Sequence, residues 1–226
     1  MFRGCRAWFN SDDGFDFINS GEAAVAEDCW AFYNGLSPRF EPLADGNGFK
    51  AGGHAGTPVA RLPNPIPRHV VRGCLAVRNK ANGFYANHHI GGVDFIHNSA
   101  ARNRANFNLL GRKPDNQTDV PGYGHRVLNN VGFAGGVEVT QFEAAACEIR
   151  GNSWQLSFAP EAADFAGLDE AELTAPRRAD GSLPEINFLR LSTGSRLIDR
   201  GVEAGIPFRG AAPDPGAFEW GRPGRE

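Results

Sequence analysis

The sequence predicts an all-β protein, a single-stranded parallel β-helix built from one short unit that is repeated along an axis. Three observations predict it: a recurring motif, brief apolar alternations separated by Asn, Gly and Asp, and the near absence of long helical periodicity. Repeats of strands and turns bury their apolar side chains only by stacking coil upon coil. The 29 glycines and 15 prolines fit such a turn-rich architecture.

The repeat unit is about two dozen residues long. It is visible in the segments 5–10, 29–34, 74–79 and 98–103. Cys5 and Cys29 are 24 positions apart, as are Asn79 and Asn103, whereas Asn34 and Asn79 are 45 apart because a Pro-rich loop intervenes. The motif predicts stacked thiols at Cys5, Cys29 and Cys74, with Cys147 apart, and stacked turn amides at 10, 34, 79 and 103.

One strand of each coil has a clear register. Triplets that begin at 15, 49, 84, 107 and 137 read apolar, polar, apolar. Because side chains alternate across a strand, the apolar members point inward as core. The polar members are predicted to form an outward column: Asp16, Lys50, Tyr85, Asn108 and Glu138.

Length and composition favour one elongated domain over 1–226. We expect coils over 1–158, an insertion over 159–187 with a short helix at 160–174, and a closing coil and C-terminal cap over 188–226. The net charge of -3 argues against nucleic acid or an anionic membrane as partner. No apolar run approaches the roughly 20 residues of a transmembrane span.

The amino end leads straight into repeat sequence. Met1 falls inside a strand of the first recognisable unit, and no signal peptide is visible there. A solenoid that begins in this way has an open apolar end and an unpaired edge, which natural solenoids cap. We therefore expect N-terminal coils of the fold to be missing from this sequence.

Three carboxylates, Asp12, Asp13 and Asp16, are crowded into five residues. Acids so close repel one another unless a cation lies among them. Ca²⁺ takes about six to eight oxygen ligands and prefers carboxylates. The cluster is therefore a candidate calcium site.

Several segments carry a family resemblance. The stretches 2–16, 46–53, 194–201 and 212–219 resemble pectate lyases of polysaccharide lyase family 9, most strongly over 2–53. The resemblance implies a right-handed parallel β-helix and Ca²⁺-dependent β-elimination on polygalacturonate. It implies Asp12, Asp13 and Asp16 as calcium ligands, with a further Asp from a preceding coil, and Lys50 as the base. The acidic polysaccharide substrate implies an extracellular or periplasmic location.

The chemistry explains these residue types. Elimination removes the proton on C5, which is acidified by the adjacent carboxylate, and Ca²⁺ on that carboxylate stabilises the developing charge. Lysine is a base only when deprotonated, and its ordinary pKa is about 10.4. Asp16 and Lys50 are expected one coil apart, at the roughly 5 Å spacing of neighbouring strands.

Other interpretations stay open. Asp16 and Lys50 can form a simple cross-strand ion pair, Asp12 or Asp13 can serve a glycoside hydrolase, and the chain can be a non-catalytic polysaccharide-binding β-helix. Adjacent His88 and His89 point to opposite faces, which disfavours a shared metal. The turn arginines are either solvated or pair with uronate carboxylates: Arg78, Arg102 and Arg104. Structural turn roles are expected for two acids: Asp199 and Asp214. The oligomeric state is left open.

Overall fold

The computed structural model describes residues 1–221, which form no α-helix. No helix among these residues is long and apolar enough to cross a bilayer. The strands are β1 (Phe2–Arg3), β2 (Arg6–Trp8), β3 (Phe15–Asp16), β4 (Val25–Glu27), β5 (Trp30–Phe32), β6 (Phe49–Lys50), β7 (His69–Arg72), β8 (Leu75–Val77), β9 (Asn82–Tyr85), β10 (Val93–Ile96), β11 (Ser99–Ala101), β12 (Ala105–Asn108), β13 (Gly111–Arg112), β14 (Asp119–Val120), β15 (Arg126–Leu128), β16 (Val131–Phe133), β17 (Val139–Thr140) and β18 (Glu148–Arg150).

The strands stack into three parallel sheets; each of the first five coils contributes one strand to each sheet, and β18 adds a sixth strand to the first sheet. Sheet 1 has the order β1-β4-β7-β10-β15-β18, sheet 2 has β2-β5-β8-β11-β16, and sheet 3 has β3-β6-β9-β12-β17. Among the strands named for residues 1–221, β13 and β14 alone pair in antiparallel fashion, as a hairpin outside the coils. The predicted all-β class and parallel β-helix are confirmed.

The interior is held by columns of identical side chains. Phe15, Phe49, Phe84 and Phe107 stack with ring centroids 4.9, 5.1 and 4.9 Å apart. Such offset aromatic pairs add to the free energy gained by burial. The rings occupy the inward positions that the alternation predicted.

The predicted polar columns are also present. The Asn34 amide donates to Asn79 Oδ1 at 2.8 Å, and the Asn79 amide donates to Asn103 Oδ1 at 3.0 Å. Cys29 and Cys74 are buried, and all four cysteines are free thiols, as predicted. The cysteine column continues upward as an amide column: Asn98, Asn130 and Asn152.

The predicted register is wrong in the fifth coil. Phe107 pairs with Val139 and Asn108 pairs with Thr140, so Thr140 and not Glu138 belongs to the outward column. A slip of two residues keeps every side chain on its face, so the alternation cannot detect it. Glu138 lies before the strand and accepts a 2.6 Å hydrogen bond from the Asn106 amide, which ends the turn column.

Residues 156–221 lie against the outer face of sheet 2. Most outer side chains of that sheet are apolar and pack with buried residues of this segment: Phe165, Leu173, Ile186, Phe188, Leu189, Leu191 and Leu197. We call this the covered face. In place of the expected closing coil, residues 188–221 add no strand to the three sheets; the last five residues of the predicted cap, 222–226, lie outside the described residues.

The expected helix at 160–174 is not formed. Two short 3-10 helices, Ala162–Asp164 and Glu170–Thr174, stand there instead; the others are Val59–Arg61, Ala144–Ala146 and Ser153–Gln155. Between the two, Phe165 and Gly167 make isolated bridges to Leu191 and Phe188. A backbone that pairs with another segment in this way cannot continue a helix.

Candidate functional site

The outward face of sheet 3 carries a continuous polar column. Asp16 pairs with Lys50, Lys50 with Tyr85, and Tyr85 with Asn108, as the sequence predicted. Thr140 completes the column. We call these five residues the groove face; Asp16 is exposed and the other four are half-buried.

Lys50 lies between two carboxylates. Its Nζ is 3.1 Å from Asp13 Oδ2 and 3.2 Å from Asp16 Oδ2. The Asp13 side chain is 2% exposed, whereas that of Asp16 is 35% exposed. The structure therefore brings the predicted base together with two of the three predicted calcium ligands.

The environment of Lys50 favours its charged form. Burial acts to lower the pKa of the ammonium, but hydrogen bonding and charge attraction from Asp13 and Asp16 outweigh it, and the net pKa is raised. With both carboxylates directed at it, Lys50 is a proton-holding group. A lysine in this setting could serve as a base only if the two carboxylate charges were otherwise neutralised.

Asp13 is fixed by a polar column that the sequence analysis missed. Its Oδ1 accepts from the Asn47 backbone N–H at 2.7 Å and from the Asn47 amide at 2.8 Å. Asn47 Oδ1 in turn accepts from the Asn82 amide at 2.7 Å. Both asparagines stand two residues before an inward Phe, and this recurrence was the available signal. The column leaves Asp13 Oδ2 to face Lys50.

Asp12 is not brought to Lys50. Its Oδ1 accepts a 3.0 Å hydrogen bond from the Asp45 N–H, and the residue is exposed. Within residues 1–221, no three Asp, Glu, His or Cys side chains are grouped so as to hold a metal ion as they stand.

The donors near Lys50 nevertheless suit a hard cation. Asp13 Oδ2 is buried and receives no hydrogen bond of good geometry, so its one close contact is the Lys50 ammonium. A buried carboxylate oxygen without a hydrogen-bond donor is a ligand position for Ca²⁺. Asp16 Oδ2 contacts the same Lys50 nitrogen at 3.2 Å, so two carboxylate oxygens converge at this point.

The two adjacent histidines separate as predicted. His88 stays at the surface, where its Nε2 is 2.8 Å from the Tyr85 hydroxyl. His89 is buried and its Nε2 lies 2.7 Å from the Pro67 carbonyl oxygen. Burial lowers the pKa of His89 to about 3, so the ring is a neutral part of the core.

The remaining candidates have structural partners. Arg78 and Arg102 both pair with Glu170 of the 156–221 segment, which places them on the covered face; Arg104 is an exposed turn residue. The Asp199 N–H donates to Asp214 Oδ1 at 2.7 Å within the tail, so the turn role predicted for these acids fits.

Comparisons with known proteins agree with the parallel β-helix fold. Residues 1–125 match the family model described as Pel9A-like, right handed beta helix region. A pectate lyase L of Dickeya chrysanthemi is 37% identical over 221 residues, which cover 96% of this chain and 47% of the relative. A pectate lyase L of Paenibacillus polymyxa is 28% identical and covers 91% and 44%.

Two solved structures are similar as well. A rhamnogalacturonan lyase matches with a TM-score of 0.80 at 42% identity, covering 86% of this chain and 48% of that one. The pectate lyase Pel9A matches with a TM-score of 0.80 at 36% identity, covering 96% and 50%. The chain thus spans about half the length of these relatives. It belongs to the Pel9A-like right-handed β-helix family, the pectate lyases of polysaccharide lyase family 9.

Proposed function

We propose that the chain carries the catalytic groove of a calcium-dependent lyase that cleaves polygalacturonate by β-elimination. The carrying observation is the placement of the Lys50 amine 3.1 and 3.2 Å from the carboxylates of Asp13 and Asp16. Lysine is scarce in this chain, with only three residues against twenty arginines, and the other two lie off the groove face.

Lys50 is the proposed base. Its Nζ takes the proton from C5 of a uronate, the electrons of that C–H bond form the C4=C5 double bond, and the C4–O4 bond breaks. The departing oxygen keeps the bonding electrons and takes a proton from solvent. One product therefore carries a 4,5-unsaturated ring at its non-reducing end, and the other carries a new reducing end, because the departing oxygen stays on C1 of its sugar.

Asp13 and Asp16, with Asp12 as a third acid, are the proposed calcium ligands. Bound Ca²⁺ supplies charge neutralisation to the substrate carboxylate, which makes C5–H more acidic. The Asn47 column holds Asp13 in place through Oδ1, so the position of Oδ2 does not depend on the ion.

The glycosidase interpretation fits the site less well. An inverting hydrolase holds a reactive water between carboxyls about 6.5 to 9.5 Å apart. Here the space between Asp13 and Asp16 is taken by the Lys50 ammonium, so a water activated by one acid has no place there.

A second candidate is a lyase acting on rhamnogalacturonan. The similarity to a rhamnogalacturonan lyase, at 42% identity, favours it. Either substrate is a plant cell-wall polymer that contains galacturonate, so we propose that the protein works outside the cytoplasm on an acidic polysaccharide.

The test is an elimination assay. Polygalacturonate and rhamnogalacturonan are incubated separately with the protein, and unsaturated product is followed by its ultraviolet absorbance. The proposal expects absorbance with at least one polymer, loss of it on adding a chelator, and return with Ca²⁺. New reducing ends without absorbance would indicate hydrolysis, and absence of both would leave a polysaccharide-binding role.

A further inference from the structure

Tyr85, next to Lys50 on the groove face, begins a chain of hydrogen-bonded side chains. Its hydroxyl is 2.8 Å from His88 Nε2, and His88 Nδ1 is 2.8 Å from Asp119 Oδ1. Arg112 donates from Nε to the same Asp119 oxygen at 3.0 Å. None of these groups is used in the elimination chemistry above.

The direction of the hydrogen bonds follows from the carboxylate. An ionised carboxylate only accepts, so His88 carries its proton on Nδ1 and offers a lone pair at Nε2. Arg112 and His88 hold the pKa of Asp119 below its usual value, although burial acts to raise it. The Tyr85 hydroxyl therefore donates to His88. Its oxygen lone pairs are left to accept a hydrogen bond from a ligand in the groove.

The backbone is bent to make this contact. Asn87 and His88 have φ of 53° and 58°, and they are the one adjacent pair of non-glycine residues with positive φ in residues 1–221. The left-handed region costs an ordinary residue roughly 1–2 kcal/mol, so two in succession are strained. This bend returns the imidazole of His88 onto Tyr85, and the hairpin β13–β14 brings Arg112 and Asp119 over it.

The groove beyond Lys50 is uncharged. The next three members of the column, Tyr85, Asn108 and Thr140, are neutral. Arg112 is engaged by Asp119 and by the carbonyl oxygens of two residues: Ala55 and Asn116. Burial and the nearby Asp119 charge raise the pKa of Tyr85 to about 12, which keeps the phenol protonated in ordinary assay buffers. The polar groups here suit sugar hydroxyls rather than a carboxylate.

A hollow beside this chain has room for a ligand. It measures about 460 Å³, and its lining includes Ile18 after the Asp16 strand, His88 and Arg112. Volumes of this size are typical of small-molecule sites. The hollow lies at the His88 and Arg112 end of the hydrogen-bonded chain, and Tyr85 itself is not among its lining residues.

We propose that Tyr85 is a substrate-binding residue of a neutral, hydroxyl-directed subsite one coil beyond the base, with His88 and Asp119 as its positioning residues. The subsite accepts a hydroxyl of the sugar next to the uronate that Lys50 deprotonates, and it makes no demand for a carboxylate on that sugar. This inference rests on the proposed function for the identity of the neighbouring sugar.

The test compares matched Tyr→Phe variants. Tyr85→Phe removes one hydroxyl from the groove face, and Tyr33→Phe removes one that donates to Glu170 on the covered face. Binding of tetragalacturonate in the presence of Ca²⁺ is measured by calorimetry, and KM and kcat are measured on polygalacturonate. We expect Tyr85→Phe to weaken binding and raise KM about 3- to 10-fold, the usual range for one hydrogen bond, with kcat changed less than about twofold.

A second pair of variants tests the positioning role. His88→Ala and His88→Gln have the same backbone strain, but Gln keeps an acceptor for the Tyr85 hydroxyl. His88→Ala should raise KM as Tyr85→Phe does, and His88→Gln should recover part of the loss. If His88 were purely structural, the two variants would have equal KM values. That result would overturn the positioning role.

The outcomes separate this inference from the proposed function. If the wild type turns over substrate and Tyr85→Phe has an unchanged KM, or only a lower kcat, the proposed subsite is wrong and the proposed lyase activity stands. Binding without turnover that still weakens in Tyr85→Phe keeps the subsite and removes the lyase. No binding of tetragalacturonate by the wild type overturns the subsite.

Discussion

The groove face and the covered face are built from the same strand alternation but serve different ends. The outer residues of sheet 2 are mostly Trp, Phe, Leu and Val, and residues 156–221 pack on them. Those of sheet 3 are Asp16, Lys50, Tyr85, Asn108 and Thr140, which remain open. The inner side chains of both sheets are small or aromatic core residues. The inward columns thus determine the coil, and the outward columns determine what each face does.

Charged groups show the same contrast. On the covered face, Glu170 receives the Tyr33 hydroxyl at 2.9 Å and pairs with Arg78 and Arg102, so its negative charge is more than balanced. On the groove face, two carboxylates share the single Lys50 ammonium. A further cation would balance the negative charge that is left over there. The ion pairs of Glu170 hold residues 156–221 against the coils, whereas the net negative charge around Lys50 suits a bound cation.

The largest expected effect is on the groove face. Lys50→Ala should lower the rate of elimination about 10²- to 10⁴-fold, the usual contribution of a general base. The control is Lys80→Ala, because Lys80 Nζ donates only to the carbonyl oxygens of Leu43 and Ala44. Initial rates of elimination, measured from product absorbance, compare the two variants with the wild type. Comparable rates in the two variants would show that Lys50 is not the base.

Lowering the pH should destabilise the whole coil, and with it both the groove face and the covered face. Burial lowers the pKa of His69 and His125 to about 4 and of His89 to about 3. Between pH 6.5 and about 4 the unfolded chain binds protons that the folded chain excludes, so stability is lost as the pH falls. At pH 5 the loss is at most about 2 kcal/mol for each histidine. Urea unfolding at pH 7 and pH 5 measures it, and equal free energies would contradict the buried neutral histidines.

A core change on the covered face should affect stability alone. Phe188 is fully buried among the side chains of sheet 2. Phe188→Ala should lower the free energy of unfolding by about 3–5 kcal/mol, and Phe208→Ala, at an exposed position, by far less. At a temperature where both variants are folded, kcat/KM should match the wild type. Loss of activity without loss of stability would show that the two faces are coupled.

The smallest expected effect comes from the column of stacked turn amides that contains Asn79. Asn79 is buried, donates to the Ala31 carbonyl oxygen and to Asn103 Oδ1, and accepts from Asn34. Asn79→Ala leaves these partners unsatisfied and should cost about 1–3 kcal/mol of stability. The exposed Asn187→Ala is the control in denaturant unfolding. Equal midpoints would mean that water replaces the column without loss.

Alternation along the strands predicted the inward phenylalanines and the pairing of Asp16 with Lys50, because both follow from local periodicity. The alternation predicted the wrong register at Glu138, because a shift of two residues leaves the alternation unchanged. The expected helix failed because pairing of Phe165 and Gly167 with a distant segment decides that backbone. The contact of His88 with Asp119 was also not predictable, since it depends on where a hairpin folds back over the sheet.

The proposed function depends most on the pairing of a cation site with Lys50, and a calcium titration tests this pairing directly. Asp13→Asn keeps the oxygen that receives the Asn47 hydrogen bonds and removes only the charge that faces Lys50. Calorimetry should show Ca²⁺ binding to the wild type and to Asp180→Asn, an exposed acid of the tail, and at least about tenfold weaker binding to Asp13→Asn. Equal affinity in all three proteins, or no binding to the wild type, would contradict the account.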